Sequence, residues 1–352
     1  MLVIDGSQGE GGGQILRTSL SLAALTGRPF EMTRVRAGRS QPGLRPQHLL
    51  AVRALAAICA ARLKGDELGS QFLRFEPTRP PQAGAYRFDV MEAARGGSAG
   101  SVTLIWQALL WPLLFAGGPS RLVLRGGTHV PFSPPFHYLT EVAGPVFGRF
   151  GAIFSGELKA WGWYPIGQGE IQVDIQPTAG LRAVTLTPPV VDNVQGLAVA
   201  VNLPSHIPQR MKGRADNLLA ELGLKSAIQP LRLSGPSTGA GLCLWLPQAG
   251  FTSLGRPGLP SDQVAESAVA ELRAFIDAQA AVDAHLADQL LLPAVLAHGT
   301  TTFTTSAITE HTLTQARLLQ QWLQAVIAIT GQRGQPGAVS VTGLDFTLER
   351  TG

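Results

Sequence analysis

One pattern recurs through this sequence: an apolar helix, a short strand, a loop rich in Gly, Pro or Arg, and a second helix. In the first copy Leu2-Val3-Ile4 opens as a strand, and a glycine-rich turn, Asp5 to Gln14, leads into a predicted helix Ile15 to Leu25. A strand Phe30 to Arg36, a loop Ala37 to Pro46 and a helix Gln47 to Leu63 complete it. In the second copy Gly96 to Ser101 opens a helix Val102 to Phe115, followed by strand Arg121 to Arg125, loop Gly126 to Pro135 and helix Phe136 to Phe147. In the third a long helix, Ser267 to Leu296, precedes strand Thr301 to Thr305 and a helix running from Glu310 to about Ile329. Such units bury their apolar faces by packing on one another. The pattern breaks between Val184 and about Asp262, where strand-like VTLTPPVVD, the run GLAVAVNLP, a helix Gln209 to Leu224 and a strand Ala240 to Leu246 follow each other. The expected fold class is therefore α+β, built of α/β repeats. A large domain of three repeated βαβαβ-type units, residues 1–183 and 277–352, would carry a smaller inserted α/β domain, residues 184–276.

The 352 residues, 45% hydrophobic and 15% charged, suffice for a large core. Mean hydropathy is +0.15, yet no apolar run is long and unbroken enough to span a bilayer, so no membrane partner is expected. The opening MLVIDGSQGEGGG lacks the basic start and apolar stretch of a signal peptide. Cys59 and Cys243 lie in the apolar runs AAICAARL and GLCLWL, without metal-ligand spacing, and two buried free thiols suit a cytoplasmic protein. Net charge is +4, and of the 28 basic residues only Lys64, Lys159, Lys212 and Lys225 are lysines. The arginine fork matches phosphate oxygens in pairs. A modest positive charge permits a nucleic-acid partner without requiring one.

Polar residues concentrate where strands hand over to helices. In TTTFTTSAITEHTLTQAR, Thr300 to Arg317, Ser306 or Thr309 is placed to cap a helix whose first turn holds Glu310 and His311. The positive end of the helix dipole keeps such a histidine neutral, with a free nitrogen lone pair beside an anion-binding helix start. A neutral imidazole there is a candidate nucleophile; an isolated one is otherwise a capping or surface residue. The loop GEGGGQILR lacks the Gly-Lys-Ser/Thr of a P-loop, and no convincing acidic residue follows roughly 20 positions on, as a dinucleotide fingerprint requires. Its glycines still bring backbone N–H groups close to a ligand, with Glu10 and Arg17 on either side of the helix start. In RVRAGRSQPGLRPQHL, Arg36, Arg39 and Arg45 surround Pro42-Gly43, and like charges so close favour a shared anion. Gln107 interrupts the apolar helix VTLIWQALLWPLLF as Asp288-Gln289 interrupts HLADQLLLPAVL, which suggests one shared crevice.

Together these stretches resemble the RNA 3′-terminal phosphate cyclase family. The likeness rests on DGSQGEGGGQILR at 5–17, RAGRSQPGLRPQHL at 36–49, GGSAGSVTLIWQ at 96–107, GGTHVPFSPP at 126–135, HLADQLLLP at 285–293 and EHTLTQ at 310–315. It implies an ATP-dependent conversion of an RNA 3′-phosphate to a 2′,3′-cyclic phosphate, through a histidine-AMP intermediate and an RNA-adenylate, releasing pyrophosphate and AMP. By matched position His311 is the implied nucleophile. Glu10, Arg17, Arg36, Arg39, Gln47, His48, Gln107, Pro131, His285, Asp288 and Gln289 are the implied nucleotide pocket, and Glu10 is the implied ligand of a divalent cation, magnesium being the expected one. The implied partners are ATP and RNA with a 3′-phosphate end, with monomer and homodimer both open.

The chain departs from the family pattern at several positions. His285 stands where relatives carry Tyr, Asp262 where they carry Glu, and Gln315 where they carry Asn. WGWYPIGQGEI at 161–171 has Trp161 for His and Gln168 for Gly. A non-catalytic, RNA-binding branch of the family serves ribosome assembly and lacks the nucleophilic histidine, so His311 favours the enzyme. An enolpyruvyl transferase would need lysines lining its cleft, and none of the four lysines falls in the motifs.

Overall fold

The computed structural model describes residues 1–93 and 98–348. Residues 2–76 form strand β1 (Leu2–Asp5), helix α1 (Gly13–Thr26), β2 (Phe30–Thr33), α2 (Pro46–Cys59), β3 (Arg62–Lys64) and β4 (Leu73–Glu76), with sheet order β1-β2-β4-β3. β1 and β2 run parallel because a helix carries the chain back between them, whereas β4 is antiparallel to both neighbours. α2 stops earlier than expected. Ala60 takes a left-handed conformation at the helix end, and Leu63, assigned to the helix from sequence, lies in β3.

Residues 85–176 follow with β5 (Ala85–Asp89), α3 (Val102–Leu114), β6 (Ser120–Gly126), α4 (Phe136–Tyr138), α5 (Gly144–Phe150), β7 (Ile153–Ala160) and β8 (Gly169–Gln176), in sheet order β5-β6-β8-β7. α3 starts at Val102 as expected; of the stretch Gly96 to Ser101 that opens it, Gly96 and Gly97 lie outside the described residues. Ser101 caps that helix by accepting from the Leu104 N–H. A π-turn, Leu139–Ala143, joins α4 to α5, so the helical run reaches Phe150.

β9 (Leu181–Arg182) leads to a region with its own core. β10 (Asn193–Val201), α6 (His206–Glu221), β11 (Lys225–Leu233), β12 (Gly239–Leu246) and β13 (Ala249–Leu254) give a sheet of order β11-β10-β12-β13. α6 and α7 (Ser261–Asp277) share a buried cluster with it that includes Met211, Leu219, Leu242, Phe251 and Leu272. VTLTPPVVD forms no strand; only Thr185 bridges, to Thr302. Its two prolines explain this, since neither can donate to a ladder.

The last region holds α8 (Ala284–Leu296), β14 (Ala297–His298), β15 (Thr300–Thr305), α9 (Glu310–Leu323), β16 (Val326–Thr330) and β17 (Gly337–Thr342). The sheet order is β15-β17-β16, and Val282 bridges in parallel to Thr305 at the outer edge of β15. Two sequence expectations are corrected here. The long helix Ser267 to Leu296 is two helices, broken at Ala278–Asp283, where Gln279 is left-handed and Asp283 accepts from the His285 and Leu286 N–H groups to start α8. α9 ends at Leu323, not near Ile329, because Gln324 turns left-handed and β16 begins two residues later.

Buried Asp283 also ties three regions together: Tyr138 Oη donates to it at 2.9 Å and the Gly250 N–H at 2.9 Å. Mixed sheets covered by helices are the architecture that the alternating helix and strand pattern predicts. Both cysteines are free and buried, and no helix among the described residues is long and apolar enough to cross a membrane.

Two histidines meet between the loop after β6 and α4, His129 buried and His137 half-buried. His129 Nε2 lies 3.0 Å from His137 Nδ1, and Trp161 stacks on both rings at 4.3 and 5.0 Å. Burial holds His129 well below the ordinary histidine value and lowers His137 to about 4. Both are neutral when folded, whereas the unfolded chain binds protons below about pH 6.5. The unfolded state is thus the better proton binder, and stability is lost as pH falls from 6.5 towards 4, by up to ~1.4 kcal/mol per pH unit for each histidine. Urea melts at pH 7.5 and 5.0 test this. His137→Phe should flatten the fall, and equal stabilities for the wild type at both values would contradict it.

Candidate active site

Thr309 caps α9, accepting from the Thr312 N–H at 3.0 Å, and so sets His311 in the first turn. The buried face of α9, Leu318, Leu319 and Trp322, packs it against the first region. Trp322 meets Phe30 edge-on at a centroid distance of 5.6 Å, and its indole N–H donates to Ser19 Oγ of α1 at 3.3 Å. Burying an aromatic side chain of this size contributes roughly 2–3 kcal/mol, enough to hold α9 in register with α1. Thr18 Oγ1 donates to Gln315 Oε1 at 2.9 Å across the same seam. His311, in the last region, therefore reaches the glycine-rich loop at the other end of the chain.

Two side chains, Glu10 of that loop and Gln14 in the first turn of α1, touch the imidazole. Gln14 Oε1 lies 2.9 Å from Nδ1, and Glu10 Oε2 lies 3.2 Å from Nε2. Arg39 donates to the same Glu10 oxygen at 2.9 Å. Gln14 in turn donates from Nε2 to Asp288 Oδ2 at 2.7 Å. Burial lowers the His311 pKa below its ordinary value; Glu10 opposes the shift, and Arg17 and Arg39 reinforce it. Desolvation is thus the largest cause favouring the neutral imidazole, with the neighbouring arginines adding to it.

The cations around the glycine loop are packed against its backbone. A Cβ on Gly12 would lie 2.7 Å from Arg39, and one on Gly13 would lie 2.4 Å from His48 Nε2 and 2.7 Å from Arg17. A Cβ on Gly38 would strike the Glu10 carbonyl at 2.6 Å, so only glycine lets the two loops close on each other. Helix α1 has no side-chain cap at Gly12, which leaves its first N–H groups free. Arg17 donates to no protein acceptor among the described residues. Burial and the neighbouring Arg36 and Arg39 lower it to about 10, with Asp288 opposing. A half-buried guanidinium with open donors, free helix N–H groups and adjacent arginines together form an anion seat.

Arg36 also shapes its own loop, donating to the carbonyls of Gln41 and Gly43, both at 2.9 Å. Arg34 and Arg36 hold left-handed φ values of 53° and 55°, uncommon for arginine and costing on the order of 1 kcal/mol each. His48 is buried, with no partner for Nδ1, and burial together with Arg17 keeps it well below the ordinary value.

A crevice of about 80 Å³ opens beside this seat, lined by Gln14, Arg17, Gln107, Asp288, Gln289 and Gln315 among others. Gln107 donates to Gln289 Oε1 at 2.6 Å, and Gln289 to the His285 carbonyl at 2.8 Å. Burial pushes Asp288 up to about 7, with His285 and Arg17 opposing it. Polar residues from α1, α3 and α8 thus meet in one place. Two expected residues stand apart. Gln47 turns away, accepting from the Ser101 N–H at 2.8 Å. Pro131 lies in an exposed turn whose Pro134 carbonyl accepts from Thr103, and no hydrogen bond joins that turn to His311.

Gln14 was not among the residues singled out from sequence. Its signal was a lone amide in the first turn of the apolar helix GQILRTSLSLAALT, three residues before Arg17.

The family description "RNA 3′-terminal phosphate cyclase" matches residues 8–329. An RNA 3′-terminal phosphate cyclase from Gloeothece citriformis is 49% identical over 327 residues, covering 92% of this chain and 93% of that one. Its counterpart in Methylococcus capsulatus is 46% identical over 97% of both chains, and that of Archaeoglobus fulgidus 37% identical over 95% and 99%. A solved enolpyruvyl transferase from Streptomyces tendae overlaps 97% of this chain and 48% of its own at a TM-score of 0.40 and 12% identity, too slight a likeness to bear on fold or function.

Proposed function

Because the chain belongs to the RNA 3′-terminal phosphate cyclase family, we propose that it consumes ATP to close an RNA 3′-phosphate into a 2′,3′-cyclic phosphate. The observation that carries this reading is His311 Nε2, 3.2 Å from Glu10 and beside Arg39 and the open donors of Arg17. Nε2 attacks the α-phosphorus of ATP, and the bond to the bridging oxygen breaks with pyrophosphate. AMP then passes from His311 to the RNA 3′-phosphate. The vicinal 2′-hydroxyl attacks that phosphorus and AMP leaves. Covalent transfer replaces one hard displacement by easier ones, since AMP is a far better leaving group than oxide.

Arg17, Arg36 and Arg39, with the first N–H groups of α1, spread the charge gathering on the transferring phosphate. Gln107, His285, Asp288 and Gln289 line the nucleotide side, and His48 lies with Arg17 against Gly13. Gln47 holds the start of α3 through the Ser101 N–H. Among the described residues no group of three or more His, Cys, Asp or Glu side chains could hold a metal ion. A cation would therefore rest on Glu10 and on substrate phosphates, a pattern that suits magnesium and would neutralise phosphate charge.

We also read residues 2–76, 85–176 and 282–342 as copies of one unit, which makes residues 1–183 and 277–352 a large domain around an inserted domain, 184–276. The cytoplasm is the proposed location.

The test is an RNA with a labelled terminal 3′-phosphate, incubated with protein, ATP and magnesium. The label should become resistant to phosphatase and sensitive to a cyclic-phosphate esterase, with AMP released in proportion. An end that stays phosphatase-sensitive would sink the proposal.

A further inference from the structure

Gln14 lies between the proposed nucleophile and the half-buried carboxylate of Asp288, and its amide has only one workable orientation. We infer that Gln14, held by Asp288, fixes the proton of His311 on Nδ1 and thereby makes Nε2 the attacking atom. This rests on the reading of His311 as nucleophile. An ionised carboxylate has no hydrogen to give. Asp288 Oδ2, 2.7 Å from Gln14 Nε2, must therefore face the NH₂ end of the amide. Oε1 is then turned to His311 Nδ1, 2.9 Å away. A carbonyl oxygen only accepts, so Nδ1 must be the nitrogen that carries hydrogen. In the neutral ring the lone pair then belongs to Nε2. The reversed amide would set two acceptors against each other at Asp288 and would leave a protonated, unreactive Nε2; Glu10 Oε2, 3.2 Å from Nε2 and held by Arg39, faces the bare nitrogen without a hydrogen bond, and that contact must open for Nε2 to reach phosphorus.

Rigid elements hold the relay. Gln14 is in the first turn of α1 and Asp288 in the second turn of α8, and neither belongs to a loop. In the attack the Nε2 lone pair forms the bond to phosphorus as the bridging oxygen leaves with the electrons of its own bond. The Nδ1 proton stays in place, so the ring becomes a cation. Gln14 Oε1 stabilises that cation, and Asp288 stabilises it through the amide. A cationic ring is also the better leaving group when AMP moves on.

The test uses the full chain at pH 8, where Asp288 is ionised, with ¹⁵N-labelled imidazoles and long-range ¹⁵N–¹H spectra. The wild type should show His311 with Nδ1 protonated and Nε2 bare. Gln14→Leu should give mixed tautomers and a single-turnover adenylylation rate lower on the order of 10²-fold, with ATP affinity within about threefold. Gln14→Glu combined with Asp288→Asn exchanges donor and acceptor but keeps an acceptor at Nδ1, and should recover both the spectrum and most of the rate. A bare Nδ1 in the wild type, or an unmoved spectrum and rate in Gln14→Leu, overturns the relay. Failure of the wild type to take label at all would instead overturn the nucleophile itself.

Discussion

His311→Ala protein mixed with magnesium and ATP labelled on the α-phosphate is expected to take up no label, while folding as the wild type does. The wild type should carry label that is lost in acid and stable in alkali, as a histidine phosphoramidate is. The loss should be complete because no neighbouring group can substitute: Glu10 is engaged by Arg39, and Gln14 has no nucleophilic lone pair on its amide nitrogen. The side chain is 41% exposed and makes two polar contacts, so its removal leaves no buried cavity and should change stability by less than about 1 kcal/mol. Label retained by the variant would mean that another residue is the nucleophile. A collapsed melting temperature would mean that the loss reports folding.

Arg17→Ala should come next in severity, lowering kcat/KM for ATP on the order of 10³-fold. Its guanidinium is the one cation of the site that is half-buried and still has its donors open among the described residues. Removing one preorganised donor to developing charge costs on the order of 10²–10³-fold. A second effect adds to the first. Arg17 lowers the pKa of Asp288, which burial has already pushed up to about 7. Without Arg17 that carboxylate moves higher, so it is protonated at neutral pH and the rate should recover partly as pH is raised. Arg17→Lys, which keeps the charge and loses the fork, should fall between the two. Steady-state rates at pH 7 and 9 decide the matter; an Arg17→Ala enzyme within tenfold of wild type at both would remove the anion seat from the account.

The helices were legible in this sequence where their ends are marked locally. Thr309 before Glu310 and Gly27 after Thr26 are cap signals, and the structure starts or ends a helix at each. Where the end depends on a non-glycine residue turning left-handed, as at Ala60, Gln279 and Gln324, sequence reasoning ran the helix too far. Nothing in an alanine or a glutamine announces a positive φ, because tertiary contacts supply the energy that holds it there.

The site divides in the same way. The residue types were readable from the chain: a histidine at a helix start, arginines around Pro42-Gly43, a glycine run before α1, and lone amides in apolar helices. Each is a local departure from what packing alone would choose. Their partnership was not readable, since Gln14 and His311 are 297 positions apart, as are Thr18 and Gln315, and Gln14 and Asp288 are 274 apart. The order of amino acids thus settles which side chains carry charge, lone pairs and open donors. The packing of α9 on α1 and of α1 beside α8 settles which of them meet, and hence which nitrogen of His311 is left bare. Hydrogen bonds form over about 3 Å of space whatever the distance along the chain, and that closeness in space exists only once the core around Trp322 has closed.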